Sequence, residues 1–105
     1  MKPVVRRRKA DEDVDSAVEY LLINAPEYAL AFVDSLQQAV EYIQKHPKSG
    51  PPRYAHELDI PGLRFWLSKR FPYMVFYMEL SNTIEIWRVL HTHQDIPDTL
   101  RDEES

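Results

Sequence analysis

Aromatic rings and cations are concentrated in one stretch of this sequence, and they are the first residues whose types could do chemistry. Six of the chain's twelve aromatic residues lie between positions 65 and 77, beside three basic residues: Phe65, Trp66, Phe71, Tyr73, Phe76 and Tyr77, with Arg64, Lys69 and Arg70. Rings beside cations can stack on bases and neutralise phosphates, as in proteins that bind single-stranded nucleic acid. The strands of a small sheet also need large residues to fill their core, and we favour packing as the main role of these rings.

Two histidines form a second candidate site in the string His91-Thr92-His93. Residues two apart in a strand point to one face, so both imidazoles could hold a metal or exchange protons near neutral pH. Asp95 follows two residues later, but no third ligand stands at a suitable spacing, and we expect neither a metal nor a cofactor. General acid–base chemistry stays open for His91 or His93, although strand-end histidines bonded to backbone are favoured.

Arg64 and Arg88 each lie inside a β-type segment flanked by apolar residues, where an unpaired charge would be costly. The required anion could be an internal acid, such as Asp95, Glu57 or Glu79, or a phosphate or carboxylate of a partner. The planar guanidinium suits either. We expect an internal ion pair for Arg88, and both alternatives stay open for Arg64.

Length and composition limit the classes of protein that fit. At 105 residues, with 44% hydrophobic and 29% charged residues, the chain is expected to form one globular domain spanning 1–105. No apolar run approaches the ~20 residues that cross a bilayer, so no membrane span or secretory signal is expected. The absence of cysteine agrees with a cytoplasmic location.

The net charge of -4 hides a segregation of charge along the chain. Residues 1–10 carry +5, residues 11–50 carry -6, residues 51–93 carry +1 and residues 94–105 carry -4. The isoelectric point is therefore a poor guide to the partners of this protein.

The elements that must position these residues begin with a short strand at Val4 and Val5 and continue with two helices. Asp11 or Asp13 is predicted to cap the first helix, and the acids around them indicate a solvated helix start. Pro26 is predicted in the first turn of the second helix, which ends before Pro47. Their apolar stripes are Val14, Ala17, Val18, Leu21 and Leu22, and Ala29, Phe32, Val33, Leu36, Val40 and Ile43.

Beyond a Pro- and Gly-rich loop, the chain becomes rich in β-forming residues. Four segments are predicted, Tyr54 to Ile60, Leu63 to Arg70, Tyr73 to Leu80 and Thr83 to His91. One short helical turn through Leu100 and Arg101 follows, and the acidic tail 102–105 is expected to fray. This order predicts an α+β fold with an N-terminal strand and an antiparallel helical hairpin on one face of a twisted antiparallel sheet.

Five local strings, in order, resemble the ParE branch of the RelE/ParE superfamily of bacterial toxins from type II toxin–antitoxin systems. They are Ala25-Pro26-Glu27-Tyr28-Ala29, Pro47-Lys48-Ser49-Gly50, the Leu-x-x-Pro-Gly-Leu-Arg form of Leu58 to Arg64, Pro72-Tyr73-Met74-Val75-Phe76-Tyr77, and Ile84 to His91 followed by Asp95-Ile96-Pro97. Together they cover nearly the whole chain. The resemblance implies the fold derived above. It also implies that the protein is a toxin of a system for plasmid stabilisation.

The resemblance also implies partners. A cognate ParD-like antitoxin would bind operator DNA through a dimeric ribbon-helix-helix domain and fold its disordered C-terminal segment across the toxin. Operator DNA would then be contacted only indirectly, and no membrane is involved. The exposed side of the hairpin and the basic N-terminal strand are the surfaces expected to receive the antitoxin.

Two activities diverge within the superfamily. RelE-like members cleave messenger RNA on the ribosome with clustered cations and a Tyr or His near the C-terminus, whereas ParE-like members inhibit DNA gyrase without hydrolytic chemistry of their own. Here Met74 stands where the nucleases tend to carry arginine, no tyrosine follows Tyr77, and Arg88 and Arg101 are the only Lys or Arg residues after Glu79. We therefore expect a gyrase inhibitor rather than an enzyme.

Two alternatives stay open beside it: a nuclease that uses Arg64, Arg88, His91 and His93, and an inactive relic that only binds antitoxin. The candidate contacts for target or antitoxin are basic or aromatic residues: Arg6, Arg8, Arg64, Trp66, Lys69, Arg70, Arg88 and His91.

Overall fold

Helices and strands alternate along the chain in the computed structural model, which describes residues 1–104 and, for residues 102–104, the backbone only. The elements are β1 Val4–Arg6, α1 Arg8–Asn24, α2 Ala29–Lys45, α3 Arg53–Leu58, β2 Leu63–Leu67, β3 Tyr73–Glu79, β4 Ile84–His91 and α4 Ile96–Glu104. A 3-10 turn at Pro26–Tyr28 precedes α2, so Pro26 opens this turn instead of the α-helix. None of the helices in this part of the chain is long and apolar enough to cross a membrane.

The four strands form one mixed sheet in the order β1-β4-β3-β2. The pairs β2–β3 and β3–β4 are antiparallel as predicted, but β1 lies parallel to β4, with Val4 opposite Ile84 and Arg6 opposite Ile86. The sheet is therefore not wholly antiparallel. Because β1 lies at the edge beside β4 and is three residues long, it leaves the later part of β4 uncovered on that side.

Alternation along β3 separates two hydrophobic clusters, one on each face of the sheet. Val75 and Tyr77 face the helical hairpin, whereas Met74 and Phe76 face the opposite side. The hairpin cluster includes Ala17, Phe32, Leu36, Ala39, Ile43, Ile84, Ile86 and Val89. The period of two read from the sequence is confirmed, and both faces of this sheet are covered.

Two helices cover the second face, and the sequence did not predict this. The prediction of a β-rich segment from Tyr54 to Ile60 is wrong, because Arg53–Leu58 is helical and Asp59 ends the helix in the left-handed conformation with φ 55°. α4 is nine residues long rather than a single turn, and it buries Ile96 and Leu100 against this face. Fraying was predicted for residues 102–105. The side chains of residues 102–104, and the whole of the last residue, lie outside the described part of the chain.

The first helix begins earlier than its acids suggest. Neither Asp11 nor Asp13 caps α1; Arg7 takes the N-cap position without a side-chain cap bond. The backbone of Arg7 donates its N–H to Ile86 O at 2.9 Å, and its carbonyl accepts the N–H of Asp11 at 3.2 Å. The helix therefore starts where the pairing of β1 ends.

The Pro-rich loop after α2 is held by a buried tyrosine of β3. The hydroxyl of Tyr77 accepts the N–H of Gly50 at 3.1 Å and donates to the carbonyl of Pro47 at 2.8 Å, and its side chain is fully buried. A Cβ atom on Gly50 would collide with this hydroxyl and would lie 2.6 Å from the carbonyl oxygen of Phe65. Gly50 is thus required by close approach.

We expect Gly50→Ala to lower the free energy of unfolding by about 2–3 kcal/mol, because the added methyl group must displace Tyr77 or strand β2. Chemical denaturation followed by tryptophan fluorescence would measure the loss. Gly62→Ala is a matched control, because its added Cβ would make only ordinary van der Waals contacts and only the positive φ of 89° is penalised. Equal stability of wild type and Gly50→Ala would contradict the prediction.

Burial raises the pKa of Tyr77 above the ordinary value of 10.0, and this effect outweighs the opposing influences of the Gly50 N–H and Arg64. A raised pKa in the folded state means that ionisation favours unfolding. The stabilisation by Tyr77 relative to Tyr77→Phe should therefore be complete below pH ~10 and fall as the pH rises through the folded pKa. Denaturation of both proteins at a series of pH values on either side of the ordinary tyrosine pKa tests this, and a constant difference would contradict it.

Candidate interaction surfaces

Arg88 is held by an acid of the first helix. Its Nε and Nη2 atoms donate to the two carboxylate oxygens of Asp13, each at 2.8 Å, and the two side chains are only 13% and 15% exposed. The same carboxylate accepts the backbone N–H of Val89 at 2.9 Å. Asp13 thus covers the part of the β4 edge that the short β1 leaves open, and the expected internal ion pair of Arg88 is present.

The partner of Arg88 differs from the acids expected from sequence, which were Asp95, Glu57 and Glu79. The signal that could have found it is periodicity. Asp13 lies between the buried Ala10 and Ala17 at helical spacing, so it falls on the apolar face of α1. An acid on a core-facing stripe must meet a cation or a hydrogen-bond donor, and Asp13 meets both.

Arg64 makes a different contact on the opposite edge of the sheet. Its Nη1 atom donates to the carbonyl of Gly50 at 2.7 Å, and no acid pairs with it within the described residues. It borders an open cavity of about 400 Å³ with His56 and Asp59. Arg64 supports the loop that Tyr77 also holds, and most of its donors remain available to a ligand.

His91 and His93 are bonded to each other at the end of β4. The backbone N–H of His93 donates to Nδ1 of His91 at 3.0 Å, and the two rings lie 5.0 Å apart. The His91 ring also meets the ring of Tyr73 edge-on at 5.1 Å. This is the strand-end arrangement that the sequence favours.

Burial raises the pKa of Tyr73, and the nearby Tyr20 adds to that shift.

The four residues of the nuclease alternative do not converge on one site. Arg64 of β2 pairs with Tyr77, and His91 of β4 pairs with Tyr73 on the other side of β3. Tyr73 and Tyr77 are four residues apart, which is about 13 Å along the strand at ~3.3 Å per residue. The Arg88 guanidinium is bound to Asp13. Among the residues that the structure describes, no cluster of three or more His, Asp or Glu could hold a metal ion.

Most of the rings between 65 and 77 pack in the core. Phe65 and Phe76 contact each other and Tyr54 on the second face, while Phe71 and Tyr73 contact Phe32 below the hairpin. The packing interpretation is therefore supported by these contacts.

Trp66 also packs against the hairpin cluster, but it borders an open groove between β2 and α2. It stacks on Tyr42 with ring centres 4.3 Å apart, and Lys69 and Gln38 complete a cavity of about 200 Å³. Tyr42 is a site residue that the sequence reasoning missed. It flanks the buried face of α2, three residues after Ala39, and a single tyrosine at such a position carries no signal for a site by itself.

The remaining basic candidates lie at separate places on the surface. Arg6 contacts Asp11 at 3.0 Å, with side chains 60% and 50% exposed, and Arg8 lies 3.9 Å from Glu12. Arg70 adopts a left-handed backbone with φ 73° next to Lys69, whose carbonyl accepts the hydroxyl of Ser35. The predicted contacts therefore occupy several surfaces rather than one.

An apolar cleft opens between the two helices of the hairpin, with a volume of about 220 Å³. Its walls are Val14 on α1 and Val33, Leu36, Gln37 and Val40 on α2; its floor is Val75, Ile86 and Val89; Arg6 lies at its mouth. Packed cores contain few voids larger than a water molecule, and this cleft has room for about seven at ~30 Å³ each. The cleft is open to solvent and largely apolar, and the sequence did not reveal it.

These features define a small α+β protein that lacks a converged catalytic cluster in its described residues and offers surfaces suited to macromolecular contact. Residues 4–96 match the family described as "ParE toxin of type II toxin-antitoxin system, parDE". Since the match spans most of the chain, this protein belongs to the ParE toxin family.

The fold is also found among solved structures. One described as "Chromosomal ParDE TA system from P. aeruginosa" matches with a TM-score of 0.74 at 24% sequence identity, covering 89% of this chain and 98% of that chain. This likeness confirms the predicted α+β fold. No curated protein matches the chain significantly.

We expect Asp13→Asn to lower the free energy of unfolding by about 2–4 kcal/mol, because the mostly buried guanidinium of Arg88 loses its counter-charge. Asp11→Asn is the matched control on the same helix: its pair with Arg6 is exposed, and its removal should change stability by less than ~0.5 kcal/mol. Urea denaturation of the two variants measures the difference. Equal effects of both substitutions would contradict the prediction.

Proposed function

We propose that this ParE family toxin inhibits bacterial DNA gyrase by protein–protein contact, without hydrolytic chemistry of its own, and that it acts in the cytoplasm. The pairing of Arg88 with Asp13 is the observation that carries this proposal, because a nuclease in this superfamily depends on clustered, available cations. Buried Met74, at a position where the related nucleases tend to carry arginine, supports the same conclusion.

The charge of the hairpin supports a protein target over a nucleic acid. Residues 10–44 contain eight acids and no Lys or Arg. A surface of this kind repels phosphates, whereas nucleic-acid binding draws most of its affinity from cations. The exposed acids of α1 and α2 therefore favour a partner made of protein.

We expect the purified toxin to inhibit supercoiling by purified gyrase and to cause cleaved DNA to accumulate. The double variant His91→Ala/His93→Ala should inhibit equally, since neither imidazole takes part in the proposed activity. Normal supercoiling without cleaved DNA would contradict the gyrase proposal. New cuts in translated messages after toxin induction, lost in the double variant, would support the nuclease instead.

We further propose that a ParD-like antitoxin neutralises the toxin by placing a C-terminal segment in the apolar cleft between α1 and α2. The cleft can receive aliphatic side chains, and Arg6 at its mouth can contact a carboxylate of the same segment. A segment that is disordered when free can cover this extended surface as it folds. The toxin would reach operator DNA only through the antitoxin.

We expect Val33→Asp to weaken antitoxin binding by at least a hundredfold, because it places a carboxylate in the apolar wall of the cleft. The antitoxin would be the ribbon-helix-helix protein encoded beside this gene. Leu67→Asp is the control, since Leu67 is 53% exposed on β2 and does not line the cleft. Calorimetry with both variants measures the affinity, and equal binding by Val33→Asp and wild type would contradict the proposed site.

A further inference from the structure

Four large apolar side chains are exposed at the closed end of the helical hairpin. We call this surface the hairpin tip. It consists of Leu22 and Ile23 at the end of α1 and Tyr28 and Leu30 at the start of the following turn and helix, and their exposures run from 49% to 75%. Exposed apolar residues that are clustered in this way mark interaction sites on proteins that are otherwise soluble.

The backbone at the hairpin tip is held by hydrogen bonds. Ala25 N donates to Leu21 O at 2.7 Å, and Tyr28 N donates to Ala25 O at 2.9 Å. The side-chain amide of Asn24 donates to Tyr20 O at 2.9 Å. The tip therefore presents its apolar side chains in a fixed arrangement, which reduces the entropy lost when a partner binds.

Acidic side chains surround the hairpin tip. Within the described residues, Glu19 and Glu27 make no ion pair, and both are exposed. Arg6 of β1 and Arg8 of α1 contact Asp11 and Glu12 at the opposite end of the helix. An apolar centre with an acidic rim is complementary to a protein surface that has an apolar centre and a rim of Lys and Arg.

The hairpin tip is separate from the cleft that we assign to the antitoxin. None of its four residues lines that cleft, whose walls are formed by Val14, Val33 and Val40 farther along the helices. A second macromolecular contact can therefore be altered without changing the first.

We propose that the hairpin tip is the surface that docks on gyrase, against a cationic protein surface beside the DNA path. This inference rests on the proposed function. An enzyme that holds DNA must present Lys and Arg to its phosphates, and the acidic rim of the tip is attracted to such a surface while the apolar centre excludes water. The toxin then contacts the enzyme through the hairpin tip, whereas the cations of the two helices, Arg8, Lys9 and Lys45, lie at the opposite end of the hairpin.

The test compares tip variants with controls of similar exposure in the gyrase supercoiling assay. Ile23→Ser/Leu30→Ser changes two side chains that are about three-quarters exposed, so the fold and melting temperature should be retained. We expect this variant to need at least ten times more protein for half-inhibition than wild type, with unchanged antitoxin affinity. Leu67→Ser, on the edge strand β2, should inhibit as wild type does.

Charge reversal tests the rim independently. Glu19→Lys/Glu27→Lys should also weaken inhibition at least tenfold, and wild-type inhibition should weaken as salt is raised. Glu57→Lys, an exposed position on α3 outside the hairpin, is the matched control and should have no effect.

The outcomes distinguish the proposed docking surface from the proposed inhibition of gyrase. If wild type inhibits gyrase and both tip variants inhibit equally well, the docking surface is wrong and the gyrase proposal stands. If wild type does not inhibit, the gyrase proposal fails and the assignment of the tip fails with it. If the tip variants lose antitoxin affinity, or if Ile23→Ser/Leu30→Ser converts a wild-type dimer to a monomer in sedimentation, the tip instead belongs to the antitoxin interface or to a second copy of this chain.

Discussion

The attachment of the helical hairpin to the sheet depends on the contact of Asp13 with strand β4. Because β1 is only three residues long, β4 would expose a backbone N–H at Val89, and the Asp13 carboxylate accepts it while holding both nitrogens of Arg88. Asp13 directly precedes Val14, which forms one wall of the apolar cleft. The same ion pair therefore holds α1 against β4 next to one wall of the cleft and leaves the Arg88 guanidinium bound to an acid. If either partner of such a pair were removed, the other charge would stay buried without a counter-charge, which is costly.

Three further surfaces differ in their chemical character. The cleft between the helices is largely apolar and open to solvent, the hairpin tip is apolar with an acidic rim, and the groove of Trp66 and Tyr42 carries Lys69 on the other side of α2. The mild net charge of the chain arises from segments of opposite sign, and the fold brings the basic N-terminal segment beside the first acids of α1, where Arg6 contacts Asp11 and Arg8 lies near Glu12. On the proposed function, the different places of these surfaces in the fold give a protein of 105 residues separate contacts for an antitoxin and for a target.

Much of the fold could be predicted from local patterns. Period-two alternation in β3 and period-3.6 spacing in both long helices are strong because each reflects one buried face. The segment at Tyr54 was misassigned because aromatic and apolar residues in a short stretch suit a strand or a helix equally, and the decision came from packing against the second face of the sheet. Leu22 and Val33 belong to the predicted apolar stripes, yet they are exposed, since an amphipathic pattern cannot say how closely two helices approach.

Local periodicity and the cost of burying a charge are enough to predict the α+β class, the hairpin, the antiparallel pairing of β2, β3 and β4, and the need of Arg88 for an anion. They do not predict that the anion is Asp13, that β1 runs parallel to β4, or that Arg64 and His91 stand apart on either side of β3; the folded chain establishes these. Asp13 and Arg88, for example, are 75 positions apart in the sequence. A contact across such a separation is selected by the packing of the whole chain, which no local pattern contains.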